Sequence, residues 1–181
     1  MTSPGSRLAP QFFSFMSVAP SVKILALLNM QISLDVVINF MRCFPCLEKL
    51  YIKTVLAGCK NGWSREYQNL VRTLDIRMKK VVLLNYRGNK SHANFAKFFV
   101  LNARLLESMV LELDNGIMLS TEWIESQHKR LQTKNKASRV ARFDFVHHDD
   151  GQSELLGHVD GAQAHDLSTA DPFARFRAWF I

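Results

Sequence analysis

The sequence has little cysteine and no long apolar run. Its 181 residues include three cysteines, an odd number that does not make a disulfide framework and that favours a reducing compartment, the cytoplasm or the nucleus. No stretch approaches the roughly 20 consecutive apolar residues of a membrane helix. The apolar stretch at 12–22 contains Pro20 and lacks a small-residue cleavage site, which argues against a signal peptide. We therefore expect a soluble protein with no membrane partner.

Motifs of enzymes and cofactor-binding proteins are also missing. The sequence has no glycine loop of the kinds that bind nucleotides and no GxSxG motif for a nucleophilic serine. No pair of carboxylates is spaced for acid–base catalysis in a plausible cleft. We expect no catalytic residue and no cofactor, and we predict that the protein is not an enzyme.

Two groups of residues have the chemistry of metal ligands, and neither completes a site. Cys43 and Cys46 have CxxC spacing, but zinc takes four ligands and the chain has no second CxxC and no HxxxH. His147 and His148 precede Asp149 in a polar tail that lacks the surrounding packing needed to hold ligands. We interpret the cysteines as small apolar residues at a helix-to-strand turn and the histidines as part of a solvated tail. No metal is expected.

Charge is distributed unevenly along the chain. The formal net charge is +7, and residues 129–142 contain several lysines and arginines but no acid. Residues 143–171 contain acids but no lysine or arginine. The basic stretch could contact nucleic-acid phosphates, but it lacks the interleaved aromatic side chains that stack on bases. A solvated helix face is favoured, and a nucleic-acid-binding protein that uses residues 129–142 stays the alternative.

One short pattern, a variant of LxxLxL, organises the chain. It occurs as VKILAL at 22–27, LEKLYI at 47–52, MKKVVL at 78–83 and LESMVL at 106–111. The intervals between the starts are 25, 31 and 28 residues, close to the roughly 20–29 residues of leucine-rich repeats. Alternation along a strand places the second and third apolar residues of each copy, such as Leu50 and Ile52, on one face.

The segments between the copies have helical spacing. A helix is predicted over 34–44 after a capping Ser33, with Pro45 ending it, and further helices are predicted from Ser91 and from Thr121. Phe143 and Phe145 alternate with Asp144 and suggest a short last strand. The predicted fold is α/β, a leucine-rich-repeat-like parallel sheet of about four strands with helices on one side, followed by a polar, acidic tail.

The residues between and beside the core positions are left on the other face of the sheet. We predict that they line the surface that binds a partner. At the centre are Ala26, Tyr51, Val82 and Val110, and the flanking residues are Lys49, Lys53, Lys80 and Glu112.

Several longer segments carry a family resemblance. They are CFPCLEKL at 43–50, LLNYRGN at 83–89, AKFFVLNA at 96–103, LLES at 105–108, Trp123, residues 138–145 and DLSTADPF at 166–173. In this order and spacing, they resemble the carboxy-terminal part of plant F-box proteins with leucine-rich repeats and an FBD domain. The chain is accordingly divided into an N-terminal segment (1–20), a leucine-rich-repeat part (21–75), an FBD-like part (76–146) and the tail (147–181).

The resemblance implies a role in recognising substrates for a ubiquitin ligase. Members of this family usually begin with an F-box, a helical domain that docks on the Skp-family adaptor of a cullin ubiquitin ligase. Only residues 1–20 precede the first repeat here, without an F-box pattern, so we expect this chain not to bind the adaptor. The implied partner is an unidentified protein substrate. A truncated product without independent function is a further alternative.

Overall fold

A computed structural model describes residues 18–30, 33–54 and 74–147. In chain order, the elements are strand β1 (Ile24–Met30), helix α1 (Leu34–Cys43), strands β2 (Lys49–Thr54) and β3 (Lys80–Tyr86), helix α2 (Lys90–Asn102), strand β4 (Ser108–Leu113), helix α3 (Thr121–Leu131), a 3-10 turn (Thr133–Asn135) and strand β5 (Arg142–His147). The expectations for 1–17, for most of the stretch between β2 and β3, and for the tail after 147 lie outside the described residues.

The strands form one parallel sheet in the order β1-β2-β3-β4-β5. The order in the sheet is therefore the order in the chain, as expected of stacked repeats. The predicted α/β sheet of leucine-rich-repeat type is confirmed. The suggested short last strand is β5, so the described sheet has five strands where about four were expected.

Each strand begins two residues after the start of its LxxLxL copy. The second copy starts at Leu47 and β2 at Lys49, and the fourth starts at Leu106 and β4 at Ser108. Leu47 and Leu106 are buried at the turn that leads into the strand. Backbone hydrogen bonds repeat at this turn, since the amides of Glu48 and Lys49 both donate to the carbonyl of the residue at the equivalent turn one repeat earlier.

Helical faces fill one side of the sheet. Alternate strand residues join the helices in a single buried cluster that includes Leu50, Ile52, Val81, Leu83, Met109, Leu111, Val37, Ile38, Met41, Phe95, Phe98, Phe99 and Leu131. The apolar residues of α1 recur three and four positions apart, which places them along one stripe of the helix. The hydrophobic effect of burying this interface is the main force that holds the repeats together.

The helix starts differ in part from the sequence prediction. Ser33 precedes α1 as expected, but its side chain makes no capping hydrogen bond. Helix α2 begins one residue before Ser91, because Asn89 is its cap and accepts a hydrogen bond from the His92 amide at 2.9 Å. Asparagine and serine serve equally well as caps, so residue type alone did not decide between them. Helix α3 begins at Thr121 as predicted.

A β-bulge near the end of β3 changes which face its last residue occupies. The register between β3 and β4 shifts after Leu83, and Asn85 has a φ of 61°. The Asn85 side-chain amide donates to the Thr54 backbone carbonyl at 3.1 Å, and the Thr54 hydroxyl donates to the Asn85 backbone carbonyl at 3.2 Å. Simple alternation would place Tyr86 opposite the helices, but the extra residue turns it into the core on the helix side.

Candidate functional site

The sheet has a second face, opposite the helices. Tyr51, Val82 and Leu84 form a separate buried cluster there, with Ile24 and Val110 packed against it. None of the residues in this cluster comes from α1, α2 or α3, within the part of the chain that the structure describes. We refer to this side as the outer face.

Register assembles the outer face from all five strands. Its first row is Ile24, Lys49, Lys80, Ser108 and Arg142, its second row is Ala26, Tyr51, Val82, Val110 and Asp144, and its third row contains Lys53 beside Leu84 and Glu112 beside Val146. The first row is basic, and the second is apolar apart from its last member. The outer face thus combines an apolar centre with positive charge along the end where the strands begin.

All eight residues predicted to bind a partner lie on this face, and the register brings them together. Ala26 is exposed, while Val110 and the three lysines are half-buried. Alternation placed all of them on this face, but Tyr51, Val82 and Glu112 are only 3%, 6% and 7% exposed. Alternation fixes the face on which a side chain lies, but not how far neighbouring side chains cover it. Their role in binding stays a prediction.

One of these neighbours is Lys80. Its ammonium group lies 5.7 Å from the centroid of the Tyr51 ring, within range of a cation–π interaction. The lysine therefore connects the basic first row to the apolar second row. A substitution at Lys80 would change both the charge of the outer face and the cover over Tyr51.

Sequence reasoning missed three residues that β5 adds to the outer face. Arg142 extends the basic row, and Asp144 and Val146 continue the second and third rows, all three being exposed. The alternation of Phe143 and Phe145 with these residues was the available signal. It indicated a strand, but not that this strand continues the same parallel register.

The turns before the strands carry an ion pair that links successive repeats. The Lys79 ammonium donates to a Glu48 carboxylate oxygen at 2.9 Å. This hydrogen bond lowers the pKa of Glu48 and raises the pKa of Lys79, while partial burial opposes both shifts. Both groups are partly solvated, so the pair contributes little to stability. The pair helps to hold the turn before β2 next to the turn before β3.

Comparisons with known proteins match two successive parts of the chain. Residues 9–52 match the family model described as "FBD-associated F-box protein At5g56370, LRR repeats", and residues 67–111 match the FBD model. The resemblance to FBD-associated F-box proteins is confirmed. The leucine-rich-repeat (LRR) match contains β1 and α1 and ends within β2, and the FBD match contains β3 and α2 and ends within β4. No curated protein and no solved structure matches the chain.

LRR and FBD segments are typical of the interaction modules of F-box proteins, which supports a protein-interaction role for this chain. In the structure the two segments are not separate units. β2 from the LRR match pairs directly with β3 from the FBD match, over the register from Lys49 and Lys80 to Lys53 and Leu84. The outer face therefore runs across both segments.

The FBD segment is joined to α3 through a group of hydrogen-bonded residues, which we refer to as the Tyr86 junction. It consists of the buried Tyr86, Gly88, His92 and Gln127 and the exposed Arg130. Gln127 is 2% exposed, and its Oε1 accepts a hydrogen bond from Tyr86. The Arg130 guanidinium donates to the Gly88 carbonyl at 2.9 Å. Burial raises the pKa of the Tyr86 hydroxyl, which therefore stays protonated and able to donate.

His92 is the titratable group of this junction. Its Nδ1 accepts a hydrogen bond from the Arg87 amide at 3.1 Å, which requires an unprotonated Nδ1. Burial and, to a smaller extent, the Arg87 charge lower the pKa of His92 to about 4, and the Asp114 charge partly opposes the shift. Arg87 is itself paired with Asp114. At neutral pH His92 is an uncharged acceptor that helps to shape the turn before α2.

Aromatic rings complete the contact between α3 and β5. The Trp123 and Phe145 rings meet edge to face with centroids 5.5 Å apart, and Tyr86 lies 6.4 Å from each of them. His128 contacts the same Phe145 ring at 5.4 Å. Trp123 is half-buried at this contact, while Leu131 at the end of α3 is fully buried. This packing fixes β5, and with it the outer-face residues that β5 contributes.

The basic stretch 129–142 does not form one continuous element. Lys129 and Arg130 end α3, whereas Arg142 begins β5 on the outer face. Between them, the Lys136 ammonium donates to the Ala141 carbonyl at 2.7 Å and lies 5.8 Å from the Phe143 ring centroid. Of the cations in this stretch that were predicted to lie on a helix face, only Lys129 and Arg130 are part of an α-helix.

The residues considered for metal binding remain separate. Cys43 is buried, Cys46 is half-buried, and both are free thiols. His147 is exposed at the end of β5, and the other tail histidines lie outside the described residues. Within residues 18–30, 33–54 and 74–147, no group of three His, Cys, Asp or Glu side chains could hold a metal ion. In the same part of the chain, every helix is too short or too polar to cross a membrane.

Proposed function

We propose that this chain is the substrate-recognition part of a plant F-box-type ubiquitin ligase receptor and that it binds a protein substrate on its outer face. The observation that carries the proposal is the pair of matches, to the LRR repeats of an FBD-associated F-box protein at residues 9–52 and to the FBD at residues 67–111. Recognition of this kind needs binding alone, so no catalysis by this chain is invoked.

We choose the outer face because its residues are more accessible to a partner than those on the helix side of the sheet. On the helix side, alternate strand residues are already buried against α1, α2 and α3. The outer face presents residues from every strand, including the exposed Ala26, Arg142 and Asp144. A partner lying across the strands would contact several repeats at once, which is how repeat proteins build extended binding surfaces.

Charge indicates the character of the substrate. The first row of the outer face contains the cations Lys49, Lys80 and Arg142. An acidic segment of a protein would be attracted to this row, and apolar side chains next to it would meet Val110 and Val146. Free thiols at Cys43 and Cys46 are consistent with the reducing cytoplasm or nucleus, where such ligases would act.

Charge reversal on the outer face tests the proposal. Tagged wild-type chain and the Arg142→Glu variant are incubated with plant cell extract, and the captured proteins are quantified by mass spectrometry. Arg142 is exposed, so its replacement should leave the fold intact and be visible only in binding. We expect a small set of proteins that the wild type captures and the variant loses. The Arg104→Glu variant is the matched control, because Arg104 is an exposed cation in the turn after α2.

The ligase role needs a second measurement. The chain is joined to an F-box and assembled with its adaptor and cullin, and each captured protein is offered as a ubiquitin acceptor. Transfer that depends on Arg142 but not on Arg104 supports the proposal. Equal capture by all three chains, or capture without any ubiquitin transfer, contradicts it. Binding that also occurs to arbitrary DNA or RNA, and that weakens steeply with salt, would favour the nucleic-acid alternative.

A further inference from the structure

An open cavity of about 300 Å³ lies between α2 and α3, on the helix side of the sheet. The described residues that line it are Lys90, Ala93 and Asn94 from the first turns of α2 and Arg130 from the last turn of α3. Two cations from separate elements thus face one small space, and no carboxylate is among these lining residues.

Among the residues that the structure describes, no salt bridge neutralises the positive charge of this cavity. Neither Lys90 nor Arg130 takes part in a salt bridge within residues 18–30, 33–54 and 74–147. Helix α2 contains no acidic residue along its whole length. On α3 the residues three and four positions before Arg130 are Gln127 and Ser126, which are uncharged.

The position of Lys90 at the start of α2 is unfavourable for the stability of the helix. Lys90 is the first residue of α2, where an acidic side chain would be favoured and a cation opposes the helix dipole. Arg130 is held near Lys90, because its Nη1 donates to the carbonyl of Gly88, two residues before Lys90, at 2.9 Å. One guanidinium edge is used in this way, and the fork geometry leaves further N–H donors for a ligand.

We propose that this cavity binds a phosphate monoester. Such a group carries between one and a half and two negative charges at neutral pH, so it balances both cations, whereas a single carboxylate balances one. Arginine offers paired donors to phosphate oxygens and lysine adds a mobile point charge, the combination expected at a phosphate site. The site lies on the helix side, so it is separate from the outer face and does not depend on the proposed substrate surface.

The phosphate could belong to a small metabolite or to a phosphorylated side chain, and the probes distinguish the two. Isothermal titration calorimetry at pH 7.5 is carried out with inorganic phosphate, with a phosphoserine peptide and with the same peptide unphosphorylated, at matched ionic strength. We expect saturable binding of both phosphate probes and none of the unphosphorylated peptide. Tighter binding of the peptide than of inorganic phosphate assigns the site to a phosphorylated protein, and equal binding assigns it to a free phosphate.

Three variants make the test specific. Lys90→Gln should weaken phosphate binding about tenfold or more, as expected when one charge-assisted hydrogen bond is lost. Lys90→Glu should abolish binding and at the same time raise the melting temperature, because it places an acid at the start of α2. The matched control, Arg104→Gln, removes an exposed cation beyond the other end of α2 and should bind phosphate as the wild type does.

Opposite effects on binding and stability separate a ligand site from a structural role. A variant that merely unfolds would lose both phosphate binding and thermal stability. A higher melting temperature of Lys90→Glu would therefore show that its loss of binding does not come from unfolding. The proposal is overturned if wild-type chain shows no saturable phosphate binding, or if Arg104→Gln weakens binding as much as Lys90→Gln.

Discussion

The hydroxyl of Tyr86 donates a 3.0 Å hydrogen bond to the side-chain oxygen of Gln127, 41 residues later in the sequence, and both side chains are buried. This bond joins the last residue of β3 to the middle of α3. It exists because the bulge at Asn85 turns Tyr86 away from the outer face. The attachment of α3 to the sheet therefore depends on the bulge in β3, although β3 and α3 are not consecutive elements of the chain.

Removing the hydroxyl should cost stability. Tyr86→Phe leaves the buried Gln127 oxygen without its donor, and an unsatisfied buried acceptor costs about 1–3 kcal/mol. Urea unfolding measures the loss. The double variant Tyr86→Phe/Gln127→Leu should recover part of it, because the unsatisfied group is then gone. If the double variant is less stable by the sum of two independent losses, the hydrogen bond is not what couples these residues.

Gly88 should not tolerate a side chain. Its φ is +64°, and a Cβ there would lie 2.8–2.9 Å from three atoms of the Gln127 side chain. Gln127 is held by Tyr86 and is not free to swing away, so Gly88→Ala should destabilise the fold by about 2 kcal/mol, from backbone strain and the clash together. Thermal unfolding checks the value. In a Gln127→Ala background the same change should cost less, and an equal cost would show that the clash is not involved.

Stability should fall below neutral pH because of His92. Its pKa is lowered to about 4 in the fold, whereas an unfolded histidine titrates near its ordinary 6.5. The unfolded state thus binds a proton first, so the stabilisation is fully present above about pH 6.5 and is lost as the pH falls towards 4. The loss from this residue amounts to about 3 kcal/mol.

Comparison with a variant isolates this contribution from that of the carboxylates. His92→Gln keeps a side-chain oxygen that can accept from the Arg87 amide but does not titrate. Unfolding free energies of both chains are measured between pH 7.5 and 4.5. We expect the difference between wild type and variant to shrink or reverse as the pH falls. A difference that is constant with pH would mean that His92 titrates normally in the fold.

The two faces of β2 should both contribute to stability. Leu50 is fully buried on the helix side, and Leu50→Ala should cost about 2–5 kcal/mol. Tyr51 is nearly as buried on the outer face, so Tyr51→Ala should also cost at least about 2 kcal/mol. Ala26→Ser, at the exposed position beside Tyr51, should change stability by less than about 0.5 kcal/mol. A negligible cost for Tyr51→Ala would show that the outer face is open to solvent at this point.

The repeats and most helices could be predicted from the sequence because their signals are local. LxxLxL spacing located four strands, and apolar periodicity with Pro45 located α1. The Tyr86 junction could not be predicted, since it joins residues more than 40 positions apart. The bulge has only Asn85 as a local sign, and asparagine is common in ordinary turns. Without the bulge, no alternation rule places Tyr86 beside Gln127.

The sequence predicted which face of the sheet carries the candidate site, but not how far its side chains are buried or which neighbours cover them. Alternation selected the right face and all eight of its proposed residues, but the cover over Tyr51 depends on neighbours such as Lys80 from another strand. The contribution of Arg142 required knowing that β5 continues the parallel register. The cavity between α2 and α3 had no sequence signal, because Lys90 and Arg130 are brought together only by the packing of two helices.

The matching order of strands in the chain and in the sheet has a consequence for how such proteins can change in length. Because each strand pairs only with its predecessor and successor, gaining or losing one repeat before β1 would alter a single interface. The Tyr86 junction, which joins the central strand β3 to α3, would keep all its partners. Relatives with different numbers of repeats could then share one unchanged carboxy-terminal anchor, while the width of the outer face, and with it the size of the partner, varies.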